Sequence, residues 1–198
     1  MSQQTAPPSA ARQLTTPAAL ALADLTAIFD DLQFVLKCCE RLITELRRDE
    51  RDDVIVESLW VATLVSYARC FRPGERGMGL AESDLAATGL KGEVTEWHAL
   101  LGTLRDYYVQ GTANPRESFS VGVAQAAAGT ADGIVITSAV QPQVDDTTVA
   151  QTGRLAFELS RVLDDRIKEQ QQTVFAAAQQ LTAKSLAALP TIEVTAAG

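Results

Sequence analysis

The chain has 198 residues, 46% of them hydrophobic and 21% charged, with a formal net charge of −8. That is enough apolar material for one compact core, and the charge balance works against non-specific binding to nucleic acid or to an anionic membrane. One histidine and three cysteines (Cys38, Cys39, Cys70) without a CxxC pair leave little from which to build a metal site or a protease triad, so no cofactor and no metal are expected.

Residues 1–15 are rich in Gln, Ser, Thr, Ala and Pro and read as a disordered tail. They lack the basic start and apolar run of a signal peptide. No segment reaches the roughly 18 apolar residues of a membrane span. An odd cysteine count without a framework fits reduced thiols, so the expected compartment is the cytoplasm.

Thr16-Pro17 reads as an N-cap followed by Pro at the first helical position. The first helix runs to about Arg48. Leu22, Leu25, Phe29, Leu32, Leu36, Cys39, Ile43 and Leu46 alternate steps of three and four, a heptad seam suited to bundle packing. A second helix spans about Asp53 to Phe71. It carries Trp60, Leu64 and Tyr67 on one face and Ile55, Leu59 and Ala62 on another, which predicts a central, buried position. Arg72-Pro73-Gly74 ends it.

A short helix is expected at Ser83 to Ala87, and a fourth from about Lys91 to Gln110 with Gly111 as its C-cap. Leu100, Leu101, Leu104 and Trp97 form its expected core face. Ser118 to Gln125 and Ile134 to Val140 alternate or are β-branched, with Gly129 to Gly133 between them, which predicts a β-hairpin over about 118–140. A last long helix is expected from Thr147 to Leu186, with Leu155, Leu159, Val162, Ile167, Val174, Ala178 and Leu181 as its stripe. The polar run Lys168 to Thr173 weakens that stripe, so the second half projects from the body or pairs with another chain. The fold class is therefore mainly α: a four-helix-bundle-like single domain over 16–186, with long first and last helices and a small hairpin before the last helix. Residues 187–198 read as a C-terminal tail.

The fourth helix concentrates the polar chemistry. His98 and Arg105 lie seven residues apart, two turns, on one face, with Gly102 between them. Asp106 follows Arg105 near the helix end, where a cation also offsets the macrodipole. Arg69, Arg72, Arg76 and Lys91 are the one basic grouping, diluted by Glu75 and read as solvated loop charge.

The order Ser66-Tyr67-Ala68-Arg69-Cys70-Phe71, Gly74, Trp97-His98, Leu104-Arg105-Asp106, Val109, Asn114-Pro115 and Glu117 resembles the HEPN-like (higher eukaryotes and prokaryotes nucleotide-binding) helical domains of bacteria and their phages. The resemblance covers about residues 51–120. It implies a four-helix bundle and, in many members, a metal-independent ribonuclease of toxin or phage-defence type. In those members an Arg, a polar neighbour and a His four to six residues further on share a site across a dimer. The Arg holds phosphate through its planar fork, and the His moves the 2′-hydroxyl proton. Arg105 matches that arginine and Asp106 the polar neighbour. The histidine does not carry over. The allowed spacings fall on Gln110, Gly111 and Thr112, and the flanking Val109 and Asn114 point to Gly111.

The resemblance thus implies a catalytically inactive, HEPN-like binding or regulatory module. Its binding residues are Arg105, Asp106, Tyr108, Asn114 and Glu117, with Arg105, Asp106 and His98 the candidates for any residual catalysis. The alternatives are a weak metal-independent ribonuclease, with His98 reaching a partner's Arg105, and a helical assembly protein without a site. A homodimer is expected, from the long seam and from the family's pairing through the Arg-bearing face. A protein partner fits the acidic chain better than RNA or a nucleotide.

Overall fold

The computed structural model describes residues 11–74, 77–111 and 114–193. Helix α1 (Pro17–Leu46) starts where the Thr16 hydroxyl accepts the Ala19 N–H and Pro17 supplies a helical φ. Helix α2 (Asp53–Cys70) starts where Asp52 Oδ1 accepts the N–H groups of Val54 and Ile55. The turn between them is built on Glu45, which is only 2% exposed. Its Oε1 accepts the Asp52 N–H at 2.9 Å and its Oε2 pairs with Arg48 at 3.1 Å.

Helix α3 (Glu82–Ala87) follows a loop held on α1 by Asp24, which accepts the Gly77 N–H at 2.8 Å. Asp84 accepts the Ala81 N–H with one oxygen. Its other oxygen takes Arg166 at 2.8 Å, which ties α3 to the last long helix. Helix α4 (Val94–Val109) comes next, then the antiparallel strands β2 (Glu117–Gln125) and β3 (Ala131–Val140), and then α5 (Asp146–Gln179), capped by Asp145.

Helix α1 packs on both α2 and α5, α4 packs on α2, and α3 bridges α4 and α5. Helices α1 and α5 are antiparallel: Gln170 near the far end of α5 bonds the Ala18 carbonyl, and Gly153 abuts Cys39. The core is Leu25, Ile28, Leu32, Val35 and Leu42 of α1, with Trp60, Leu64 and Tyr67 of α2 and Leu155, Leu159 and Leu163 of α5.

The mainly helical class, the long first helix, the long helix after the hairpin and the hairpin itself are all present. Five details differ from the sequence expectation. In α1, Ile28, Val35 and Leu42 are fully buried, whereas Phe29, Leu36, Ile43 and Leu46 of the predicted seam are only partly buried. A helix held between two partners needs a wider stripe than a heptad template marks. Helix α2 buries one broad face against α1 and α4 and leaves Val54 and Ile55 exposed, so it is not enclosed on all sides. On α4, Leu100 is exposed rather than core.

The last helix does not reach Leu186. It ends at Gln179, and a separate helix α6 (Ala183–Ala187) starts at Thr182, whose hydroxyl accepts the Ser185 N–H. The chain then returns. Strand β1 (Ala11–Arg12) pairs antiparallel with β4 (Thr191–Ile192), and the Arg12 guanidinium bonds the Leu189 carbonyl and the Thr191 hydroxyl. The inner ends of both expected tails are therefore paired through one arginine that composition does not single out. Residues 1–10 and 194–198 lie outside the described residues.

The Glu45 carboxylate is held below its ordinary pKa, first by the Asp52 N–H and then by Arg48, against the opposing effect of burial. A carboxylate depressed in the folded state adds stability above its unfolded pKa and loses it as the pH falls through the folded value. Thermal denaturation from about pH 7 down to about pH 3 should show a steeper acid loss in the wild type than in Glu45→Gln. Parallel acid limbs in the two proteins would remove Glu45 as the cause.

Candidate functional site

Helix α4 is placed by α2. Leu101 is fully buried, and Trp97, Leu104 and Tyr108 pack at the core margin. This fixes the rotation of the helix and turns His98 and Arg105 to one side, two turns apart.

His98 is engaged. Its Nδ1 lies 2.9 Å from the Tyr67 hydroxyl, and its ring sits 4.2 Å, centroid to centroid, from Phe71. Burial lowers its pKa, and Glu82 opposes that only weakly. The ring is therefore neutral at physiological pH. Burial pushes the Tyr67 phenol up, so it keeps its proton and can donate to Nδ1. The contact holds the neutral ring by its Nδ1, with donor and acceptor set by the imidazole tautomer.

Arg105 is also covered, with a side chain 12% exposed. Its Nη2 pairs with the adjacent Asp106 carboxylate. Its Nε–H is buried and has no hydrogen-bond partner among the described residues. The helix C-caps at Gln110, and Gly111 follows at φ +64°. A Cβ at Gly111 would meet nothing within 4 Å. The site thus has a guanidinium with one donor unsatisfied and open space at the position where the resemblance places a base. Thr112, another spacing for that base, lies outside the described residues.

The remaining candidates lie beyond the helix end. Tyr107 donates to the Asn114 carbonyl at 3.2 Å, and Asn114 Oδ1 accepts the N–H groups of Arg116 and Glu117. Asn114 thereby shapes the turn that launches β2. Tyr108 and Glu117 line a cavity of about 250 Å³ with Trp60, Glu57, Arg116 and Gln143. The Arg116–Glu57 ion pair, at 2.8 Å, crosses it. Burial raises the Tyr108 phenol pKa and Glu57 adds to the shift, which rules the phenol out as a base near neutral pH. The structure brings together Arg105 with Asp106, and Tyr108 with Glu117. His98 is held apart on Tyr67.

Sequence reasoning missed a larger feature. A groove of about 1270 Å³ opens between the first half of α4 and α5, lined by Trp97, Leu100, Leu155, Arg154, Glu158 and Arg161. The Trp97 Nε1–H is buried there without a partner among the described residues. The signal was the surplus apolar Leu100 beside Trp97, which the helical period assigned to the core. Arg105 lines neither cavity. Burial raises the Cys38 thiol pKa and pushes that of Cys39 up to about 12, so both stay protonated near neutral pH. Within the basic grouping, Arg69 pairs with Asp31 at 3.6 Å, and Arg76 lies outside the described residues.

Comparison of the chain with protein-family models, curated proteins and solved structures yields no match. The functional reading rests on the geometry above and on the sequence resemblance.

The single histidine gives one set of imidazole signals in an NMR titration, and its midpoint should lie below that of a free histidine. With the folded pKa depressed, the unfolded chain takes the proton first as the pH falls. The contribution of His98 to stability is intact above the ordinary imidazole pKa and declines as the pH drops toward the folded value. Tyr67→Phe should cost about 1 kcal/mol, the worth of one buried hydrogen bond. A normal or raised midpoint in the wild type would refute the buried, neutral assignment.

Proposed function

We propose that this chain is a catalytically inactive, HEPN-like binding module. The observation that carries the reading is the pairing of a buried guanidinium, Arg105, whose Nε–H lacks an acceptor, with the bare Gly111 at the resemblance's base position. A buried donor without a partner is costly, and a ligand acceptor relieves that cost. A site with an anion or carbonyl ligand and no histidine at the resemblance's base position binds without cleaving. His98 supports this reading, because it is neutral, tied to Tyr67 and displaced about 10 Å along the helix axis from Arg105.

Arg105 and Asp106 act as one unit in this reading, with Asp106 holding Nη2 while a ligand acceptor takes the Nε–H. Tyr108 and Glu117 line the cavity beyond the helix end as a second contact for the same partner, and Asn114 holds the turn that positions Glu117. The favoured ligand is a protein segment offering a carbonyl or carboxylate. A polynucleotide would bring many phosphates toward a chain of net charge −8. The module is expected to act in regulation or defence, in the cytoplasm.

Purified chain incubated with radiolabelled single-stranded RNA and no added metal should leave the RNA intact. Cleavage that Arg105→Ala abolishes would overturn the inactive reading and favour the ribonuclease. Gly111→His should fold with a loss of about 1 kcal/mol, since only the positive φ opposes a side chain there. Cleavage gained in that variant and dependent on Arg105 would show that the rest of the ribonuclease site is retained. A partner captured by the wild type should be lost with Arg105→Ala and weakened with Tyr108→Ala. Capture that neither substitution affects would favour a helical assembly protein without a site.

A further inference from the structure

The hairpin of β2 and β3 stands outside the helical body. The two strands pair with each other, and neither packs on a helix beyond a fringe at its base, where Arg116 meets Glu57. Their register aligns Phe119 with Ser138, Val121 with Ile136 and Val123 with Ile134. Directly opposed residues share a face. One face therefore carries Phe119, Val121, Val123, Ile134 and Ile136 with Ser138 at one end, and the other carries Ser118, Ser120, Gly122, Thr137 and Ala139 with Val135 as its one large apolar residue. The apolar face is open to water: the five residues are 59%, 71%, 61%, 68% and 69% exposed.

An isolated two-stranded hairpin is marginal in water, and it becomes stable when an apolar face is covered. Nothing within this chain covers this one among the described residues. We infer that the apolar face of the hairpin is the contact surface for a second copy of the same chain, the two hairpins packing face to face about a two-fold axis near the Val121–Ile136 pair.

Charge and area favour a second copy as the occupant. Two chains of net charge −8 repel each other, so they meet best where charge is absent. From 118 to 139 the chain holds a single ionisable residue, Asp132, next to the hairpin turn. The exposed apolar area of the five side chains is on the order of 500 Å², the size of the largest patches on monomeric proteins. Two such faces bury about 1,000 Å² together, the lower bound of a specific interface. The face is also self-complementary, as an isologous contact requires: β-branched side chains fill its centre and a single Phe lies near one end. Edge-to-edge pairing of strands would extend the sheet but leave the same five side chains in water.

This inference stands apart from the binding role of Arg105, and its test leaves that residue untouched. Sedimentation equilibrium of the full chain up to about 200 μM should give a dimer with a dissociation constant on the order of 10 μM. The double substitution Val121→Lys with Ile136→Lys should weaken it at least about 100-fold, because it sets like charges across the interface. Ser120→Lys with Thr137→Lys, on the opposite face, should change it less than about 3-fold. Far-UV circular dichroism should report the same helix content in all three proteins, since the hairpin lies outside the helical body. A wild type that stays monomeric throughout overturns the inference. So does dimerisation that survives the first pair of substitutions, or one that both pairs weaken equally.

Discussion

Helix α1 is buried along two sides at once, and the rest of the molecule is arranged around that constraint. Leu25, Ile28, Leu32, Val35, Cys39 and Leu42 form one buried seam. Phe29, Leu36 and Ile43 beside it are packed against the core as well, and this wider stripe is shared between α2 along one side and α5 along the other. A short turn built on the buried Glu45 provides the first neighbour. The second arrives more than a hundred residues later, as α5 runs back antiparallel to α1. Between those events the chain is free to do something else, and α3, α4 and the hairpin occupy that interval.

The consequence for the site is that α4 is secured on one side only. It packs on α2 through Leu101 and its neighbours, while α5 is reached only through α3 and the Asp84–Arg166 pair. The open side is the groove under Trp97 and Leu100. The closed side holds His98 against Tyr67 and Phe71. The same packing that gives His98 its partners withdraws it from Arg105. Neutrality by burial and distance by helix geometry act in one direction here, away from acid–base chemistry at the arginine.

Much of this was legible in the chain because caps and breaks are local. Thr16-Pro17, Pro73 and Gly111 each mark an element end by their own backbone chemistry, and the structure ends or starts helices beside them. The alternation of Phe119, Val121 and Val123 likewise places the hairpin. Other features depend on what lies across the fold. The buried row in α1 is set by having two partners rather than one, which a period cannot count. The break after Gln179 rests on Thr182 capping a new turn, inside a stretch whose composition favours helix throughout. The place of Gly111 in the proposed site comes from the resemblance, and the Tyr67–His98 contact joins residues 31 apart on different helices and has no sequence signature. The orphaned Arg105 Nε–H is likewise a product of packing.

The two unusual surfaces have different physical origins. At Arg105 a polar group is buried without its full set of bonds, and the remedy is one acceptor. At the hairpin, apolar groups are exposed without cover, and the remedy is area. A small polar ligand answers the first and leaves the second unchanged. A second copy of the chain covers the hairpin without touching Arg105, because the hairpin extends from the base that Arg116 and Glu57 secure, beyond the end of α4. Shared-site catalysis across a dimer would require the arginine-bearing faces themselves to meet, and it is the hairpin, with one ionisable residue between 118 and 139, that two acidic chains can bring together at the least electrostatic cost.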